Sequence, residues 1–139
     1  MLAPALREYA ALARGDRSRL SEFEAALYNL TPASYTKEQP HVFLRYQVGR
    51  MLLDWGKLRD AERYFQSFDA YDYFYTTQVN FLLGHIYEEL GQTEEAIVHY
   101  DRFVTFWQDS DPQLRPWWEE GREALARLTG EPRSGGGSE

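Results

Sequence analysis

The sequence contains no cysteine, which excludes disulfides, thiol nucleophiles and thiolate metal sites. Cations are also scarce: 15 Lys and Arg against 22 Asp and Glu leave a net charge of −7. Nucleic-acid binding needs basic residues concentrated on one face, so the balance argues against that class of partner. It equally disfavours docking on an anionic membrane surface. No apolar run approaches the roughly 20 residues that span a bilayer, and no membrane insertion is expected. Arg7 and Glu8 interrupt the apolar pattern at the N-terminus, so this stretch does not read as a secretory signal. A cytoplasmic location is the default that remains. The chain enters a helical pattern at once, which suggests a piece cut from a longer protein.

What the chain has in quantity is aromatic residues, 16% of the total, arranged at helical spacing. Two stretches carry the same skeleton. Gly49, Gly56, Ala61 and Phe68 recur 35 residues later as Gly84, Gly91, Ala96 and Phe103. Tyr46 and Phe65 recur as aromatic Phe81 and Tyr100, and Leu44, Val48 and Met51 as Val79, Leu83 and Ile86. Each copy reads as two amphipathic helices joined at a glycine, Gly56 or Gly91, which takes the left-handed conformation that ends a helix. Small residues, Gly49 with Ala61 and Gly84 with Ala96, let the helix axes approach. Tyr87, Tyr100 and Phe103 fill the space around the later pair.

The flanks supply further helices. Leu2, Ala5, Leu6, Tyr9, Ala10 and Leu12 form one stripe, Gly15 stops it, and Asp16 or Ser18 caps a second stripe of Leu20, Phe23, Leu27 and Leu30. Residues 31–40 are a loop with two prolines. Residues 68–76 are an aromatic and acidic connection, after which Thr76 or Thr77 caps the next helix. Asp111 and Pro112 read as N-cap and N1 of a last helix, with Trp118, Gly121, Leu125 and Leu128 on one stripe and Trp117 and Ala124 beside it. Residues 130–139 read as a flexible tail.

Taken together, the Leu83-Gly84, Tyr87, Gly91, Ala96 and Tyr100 pattern resembles the tetratricopeptide repeat, a helix–turn–helix of roughly 34 residues. The resemblance implies an all-α fold, a right-handed superhelix of antiparallel helical hairpins. A single hairpin cannot bury its apolar face alone, so hairpins stack. Residues 1–129 would form the domain: a degenerate hairpin over 1–30, repeats over 41–68 and 76–106, and a capping helix over 112–129. Residues 79–128, with Gly84, His99, Tyr100, Trp107, Asp111, Pro112 and Pro116, also resemble the C-terminal repeat region of bacterial signalling proteins of the serine/threonine kinase or transcriptional-activator type. No kinase glycine loop or basic DNA-reading helix accompanies them.

The resemblance further implies an inner groove lined by the first helix of each hairpin. It places Phe43, Tyr46, Arg50, Leu53 and Asp54 there from one repeat, and Gln78, Phe81, His85, Glu88 and Glu89 from the next. Aromatics beside Arg50 and His85 suit a peptide or helix of a protein partner. The Lys and Asn clamp of chaperone-binding repeats is replaced here by Tyr46, Phe81, Arg50 and His85, which speaks against chaperone tails. His85, Glu89 and His99 have metal-compatible chemistry, but the repeat geometry turns residues 85 and 99 to different faces, so neither a metal nor a cofactor is expected. The paired carboxylates Glu88/Glu89, Glu94/Glu95 and Glu119/Glu120 sit as solvated helix residues, and no catalytic residue is expected. The reading is a non-enzymatic scaffold or docking module. The alternative is a self-associating subunit, a homo-oligomer joined through its aromatic ends at Trp117 and Trp118. The aromatic run at residues 71–75 reads as packing between repeats, with a sticky docking loop as the other possibility.

Overall fold

A computed structural model describes residues 3–28, 40–68 and 73–130. The expectations for the loop before Pro40, for Tyr71 and Asp72, and for the tail after Gly130 lie outside these residues. Seven helices follow in order among the described residues, with no strand: α1 (Ala3–Ala13), α2 (Leu20–Tyr28), α3 (Pro40–Asp54), α4 (Leu58–Gln66), α5 (Tyr73–Glu89), α6 (Thr93–Trp107) and α7 (Arg115–Thr129). The fold is an all-α helical repeat. It divides into two compact units, Met1–Tyr64 and Phe65–Glu139.

In the first unit, α1 buries Ala5, Glu8 and Leu12, one face at i, i+3 and i+7. Leu6, assigned to the core by periodicity, is 44% exposed because it stands 100° around the helix from Ala5. Glu8 is nevertheless buried, and it is satisfied by Arg19, whose Nε and Nη2 each lie 2.8 Å from its Oε2. A buried carboxylate without such a partner would be costly. Asp16 caps the short turn Arg17–Arg19 by accepting from the Ser18 backbone N–H at 3.2 Å, as its cap assignment requires. Phe23 is fully buried on α2, worth about 1.5–3 kcal/mol of transfer free energy. α3 buries two stripes, Val42, Tyr46 and Gly49 on one side and Leu44, Val48 and Leu52 on another. A helix covered from two sides has this pattern. Tyr64 of α4 is buried and donates its hydroxyl to Glu24 of α2 at 3.2 Å.

In the second unit, α6 packs between α5 and α7. Gly84 of α5 lies under the ring of Tyr100: a Cβ there would stand 2.8 Å from the ring's Cδ1. The partner of Gly84 is thus a ring that its missing side chain admits. Gly121 of α7 does the same for Phe103, with a Cβ position 2.6 Å from that ring. The ring of Phe81 sits 5.0 Å from that of Phe103 and 5.5 Å from that of Trp117. Trp118 donates its indole N–H to the Val104 carbonyl at 2.9 Å, with the Arg115 guanidinium 4.8 Å from its ring centre. Both adjacent tryptophans therefore engage the end of the repeat.

Two helix starts differ from the sequence reading. α5 begins at Tyr73, so Thr76 and Thr77 lie inside it. Nothing in residues 69–77 breaks a helix, and threonine's preference for capping is too weak to end one. α7 begins at Arg115, with Pro116 in its first turn. A start at Pro112 would require an N–H from Pro116 to its carbonyl, and proline has none. Residues 111–114 instead form a turn closed by the Leu114 N–H on the Asp111 carbonyl at 2.9 Å.

Candidate functional site

The least buried line of α5 runs through Gln78, Phe81, His85 and Glu89, spaced so that all four share one face. Val79, Leu82, Leu83, Ile86 and Tyr87 are buried around it. His85 and Glu89 are paired, Nε2 to Oε1 at 2.9 Å, with both side chains about half exposed. Phe81 keeps only part of its ring in solvent, since Trp117 of α7 covers it. The sequence also offered Glu88. Its carboxylate is occupied, accepting from the Tyr100 hydroxyl at 3.0 Å and pairing with Arg127 of α7. Arg127 holds the Glu88 carboxyl below the usual carboxylate range, while burial pushes the Tyr100 hydroxyl up. α7 therefore takes the Glu88 end of the line, while His85 and Glu89 stay exposed.

In the first unit, Phe43, Arg50 and Asp54 of α3 are exposed. Phe43 is 43% exposed, although its ring meets the edge of Tyr9 at 6.3 Å. Tyr46 departs from the expectation. It is 4% exposed and belongs to the core, because it shares a buried stripe with Val42 and Gly49, and Arg50 lies 5.9 Å over its ring. It cannot be offered to a partner without opening α3.

A second feature of the Phe65–Glu139 unit was not singled out by sequence reasoning. The end of α4, α5 and α6 enclose a cleft of about 380 Å³, lined by Phe65, Phe68, Val79, Leu83, His99 and Arg102, with Phe106 at its edge. At its polar corner the Asn80 amide donates to the Thr76 carbonyl at 3.0 Å. The Asn80 carbonyl oxygen is thereby left to accept from His99 Nδ1 at 2.9 Å. His99 also stacks on Tyr87, with ring centres 5.4 Å apart. Burial, with Arg102 nearby, lowers the His99 pKa, so the ring is neutral at pH 7. His99 thus serves a hydrogen-bonded corner and does not join the exposed His85–Glu89 pair. No cluster of three or more His, Cys, Asp and Glu able to hold a metal occurs among the described residues. No described helix is long and apolar enough to cross a membrane.

Residues 77–106 match the tetratricopeptide repeat. The match spans α5 from its second turn, the Gly91 joint and nearly all of α6. No curated protein and no solved structure matches the chain significantly. A tetratricopeptide repeat is a non-catalytic unit that generally mediates protein–protein interaction. This one carries Gln78, His85 and Glu89 on its first helix.

Proposed function

We propose that the chain is a non-enzymatic protein–protein interaction module that docks a peptide or helix of a protein partner along the first helices of its hairpins. Residues 1–129 act as one such domain, in the setting of a larger signalling protein of the bacterial kinase or activator type that residues 79–128 resemble. Each unit offers its own contacts: Phe43, Arg50 and Asp54 on α3 in the first, and Gln78, Phe81, His85 and Glu89 on α5 in the second. Tyr46 supports Arg50 from below. The observation that carries this reading is the tetratricopeptide repeat at residues 77–106 together with the exposed His85–Glu89 pair on its first helix. An exposed polar pair flanked by a half-covered aromatic provides orientation from the charges and affinity from the ring.

The test is selection from a random peptide display library with the wild-type chain, followed by binding of the selected peptides to an Arg50→Glu, His85→Glu variant. Circular dichroism checks that the variant keeps its helix content. Peptides that lose at least about tenfold in affinity on the variant support docking on this face. Peptides that bind both chains equally sink it. Light scattering on the wild type alone reports whether a homo-oligomer competes for the same surface.

A further inference from the structure

The surplus negative charge of the chain belongs to its second unit. Residues 65–139 carry 14 Asp and Glu against five Arg and no Lys, whereas residues 1–64 carry eight acids and ten bases. Within the second unit, α6 packs against α5 and α7 and keeps a third face in solvent. Glu94, Glu95, Val98, Asp101, Thr105 and Phe106 are all exposed there. At 100° per residue they fall within one sector of about 140°.

Two properties set this face apart from an ordinary solvated helix surface. Phe106 is 70% exposed and Val98 46% exposed, the highest values among the large hydrophobic side chains of the described residues. They stand eight residues apart, about 12 Å along the helix. Carboxylates border them: Glu94 and Asp101, seven residues apart, share a line on one side of Val98, and Glu95 stands on the other. The helix dipole favours anions at Glu94 and Glu95, in the first turn, but offers nothing to Asp101 in mid-helix. Arg102 is the only Arg or Lys of α6. This charge pattern selects the occupant. An antiparallel pairing of two α6 helices that sets Val98 on Phe106 puts Arg102 against Arg102 and Glu95 against Asp109, and like charges in contact oppose association. An anionic membrane surface is repelled for the same reason. The complement is a helix with apolar residues along one side and Lys or Arg beside them.

We infer that the exposed face of α6 is a second docking surface, separate from the first-helix face, and that it takes a cationic amphipathic helix of a partner protein. The apolar side of that helix packs on Val98 and Phe106, and its basic residues pair with Glu94, Glu95 and Asp101.

The test uses the full chain, isotope-labelled for NMR, and an N-acetylated, C-amidated peptide of Leu and Lys. The peptide is about 15 residues long, enough to form a helix, with Leu at i, i+3, i+4 and i+7. One comparison peptide replaces every Lys by Glu, and another keeps the composition but scrambles the order so that no apolar side forms. Saturable shifts of the Glu95, Val98, Asp101 and Phe106 amides are expected with the first peptide and not with the other two. A Glu95→Lys, Asp101→Lys variant should weaken that binding at least about tenfold, since two exposed attractions become repulsions. Phe106→Ala should weaken it about tenfold through lost apolar contact. A Glu119→Lys, Glu123→Lys variant makes the same charge change at exposed positions of α7 and should bind as the wild type does. So should the Arg50→Glu, His85→Glu variant, whether or not the first-helix face has its own partner. The substituted side chains of α6 are exposed, so these variants should fold, which circular dichroism checks. Equal weakening by the α6 and α7 charge variants would mean attraction to the overall charge alone and would overturn the proposal. Binding insensitive to Phe106→Ala, shifts confined to the Gln78–Glu89 line, or no saturable binding would do the same. A dimer whose formation moves the same amides would assign the face to a second copy and overturn it as well.

Discussion

The two copies of the repeat skeleton share their landmarks and part company in their second helix. α4 has nine residues and α6 fifteen. Phe68 and Phe103 hold the same place in the pattern, yet their surroundings are opposite. Phe103 lies inside α6, fully buried, against Gly121 and Phe81. Phe68 lies past the end of α4, where its N–H tightens onto the Phe65 carbonyl at 3.2 Å, and its ring meets the edge of Tyr75 while lining a cleft. The later copy matches the family model. The glycine and alanine landmarks thus specify that a hairpin forms. How far its second helix continues depends on a neighbour ready to receive its last turn, and α7 is that neighbour for α6.

The largest test of this difference is a pair of truncations. Phe103→Ala should cost about 3–5 kcal/mol, the usual loss for emptying a packed aromatic site. Phe68→Ala should cost about 1 kcal/mol, since a partly exposed ring gives up less. Urea denaturation measures both, and equal losses would erase the distinction drawn between the copies. Next come Gly84→Ala and Gly121→Ala. Each added carbon meets a ring of the core, at an overpacking cost of about 1–3 kcal/mol, partly offset by about 1 kcal/mol of helix propensity. A net gain at Gly121 would mean that α7 can move away from Phe103, which the comparison does not allow.

Acid should act through two groups of the second unit. Arg127 depresses the Glu88 pKa below its ordinary 4.5, so the folded state releases that proton more readily than the unfolded chain. The stability this confers is complete above pH 4.5 and is lost as pH falls through the lower folded value. The His99 pKa is lowered from 6.5, so the unfolded chain binds the proton first, and stability falls as pH drops below 6.5 toward the folded value. Glu88→Gln should flatten the lower window, and His99→Gln the upper one. Thermal melts across pH 3 to 8, a span of roughly two units around the ordinary carboxylate and imidazole values, would read both. A wild-type profile flat through both windows would contradict these assignments.

Much of the fold was legible because it rests on local rules. The left-handed glycines and the spacing of Leu83, Ile86, Tyr100 and Phe103 are decided within a few residues. The starts of α5 and α7 were less so. One needed the absence of a breaker in residues 69–75 to outweigh a threonine cap, and the other needed Pro116 to be read against the carbonyl of Pro112. Of the candidate site, the line of Gln78, His85 and Glu89 follows from helical phase alone. The burial of Tyr46 and the capture of Glu88 by Arg127 depend on contacts from other parts of the chain, and sequence spacing contains neither.

The joints at Gly15, Gly56 and Gly91 share one hydrogen-bond pattern. At Gly91 its own N–H reaches Glu88 and the next N–H reaches Tyr87, and the other two repeat this with Leu12 and Ala11, and with Leu53 and Leu52. At all three, nothing lies within 4 Å of where a side chain would begin. The joints are therefore selective for handedness and indifferent to bulk. A residue of inverted configuration prefers this backbone: D-alanine, introduced at Gly56 or Gly91 by chemical ligation, has the required φ. It would narrow the unfolded chain's choices without disturbing the folded one, a gain of about 0.4–1 kcal/mol. The hairpins of this protein can in principle be stiffened from outside the genetic code at the very positions where every L-residue would strain them.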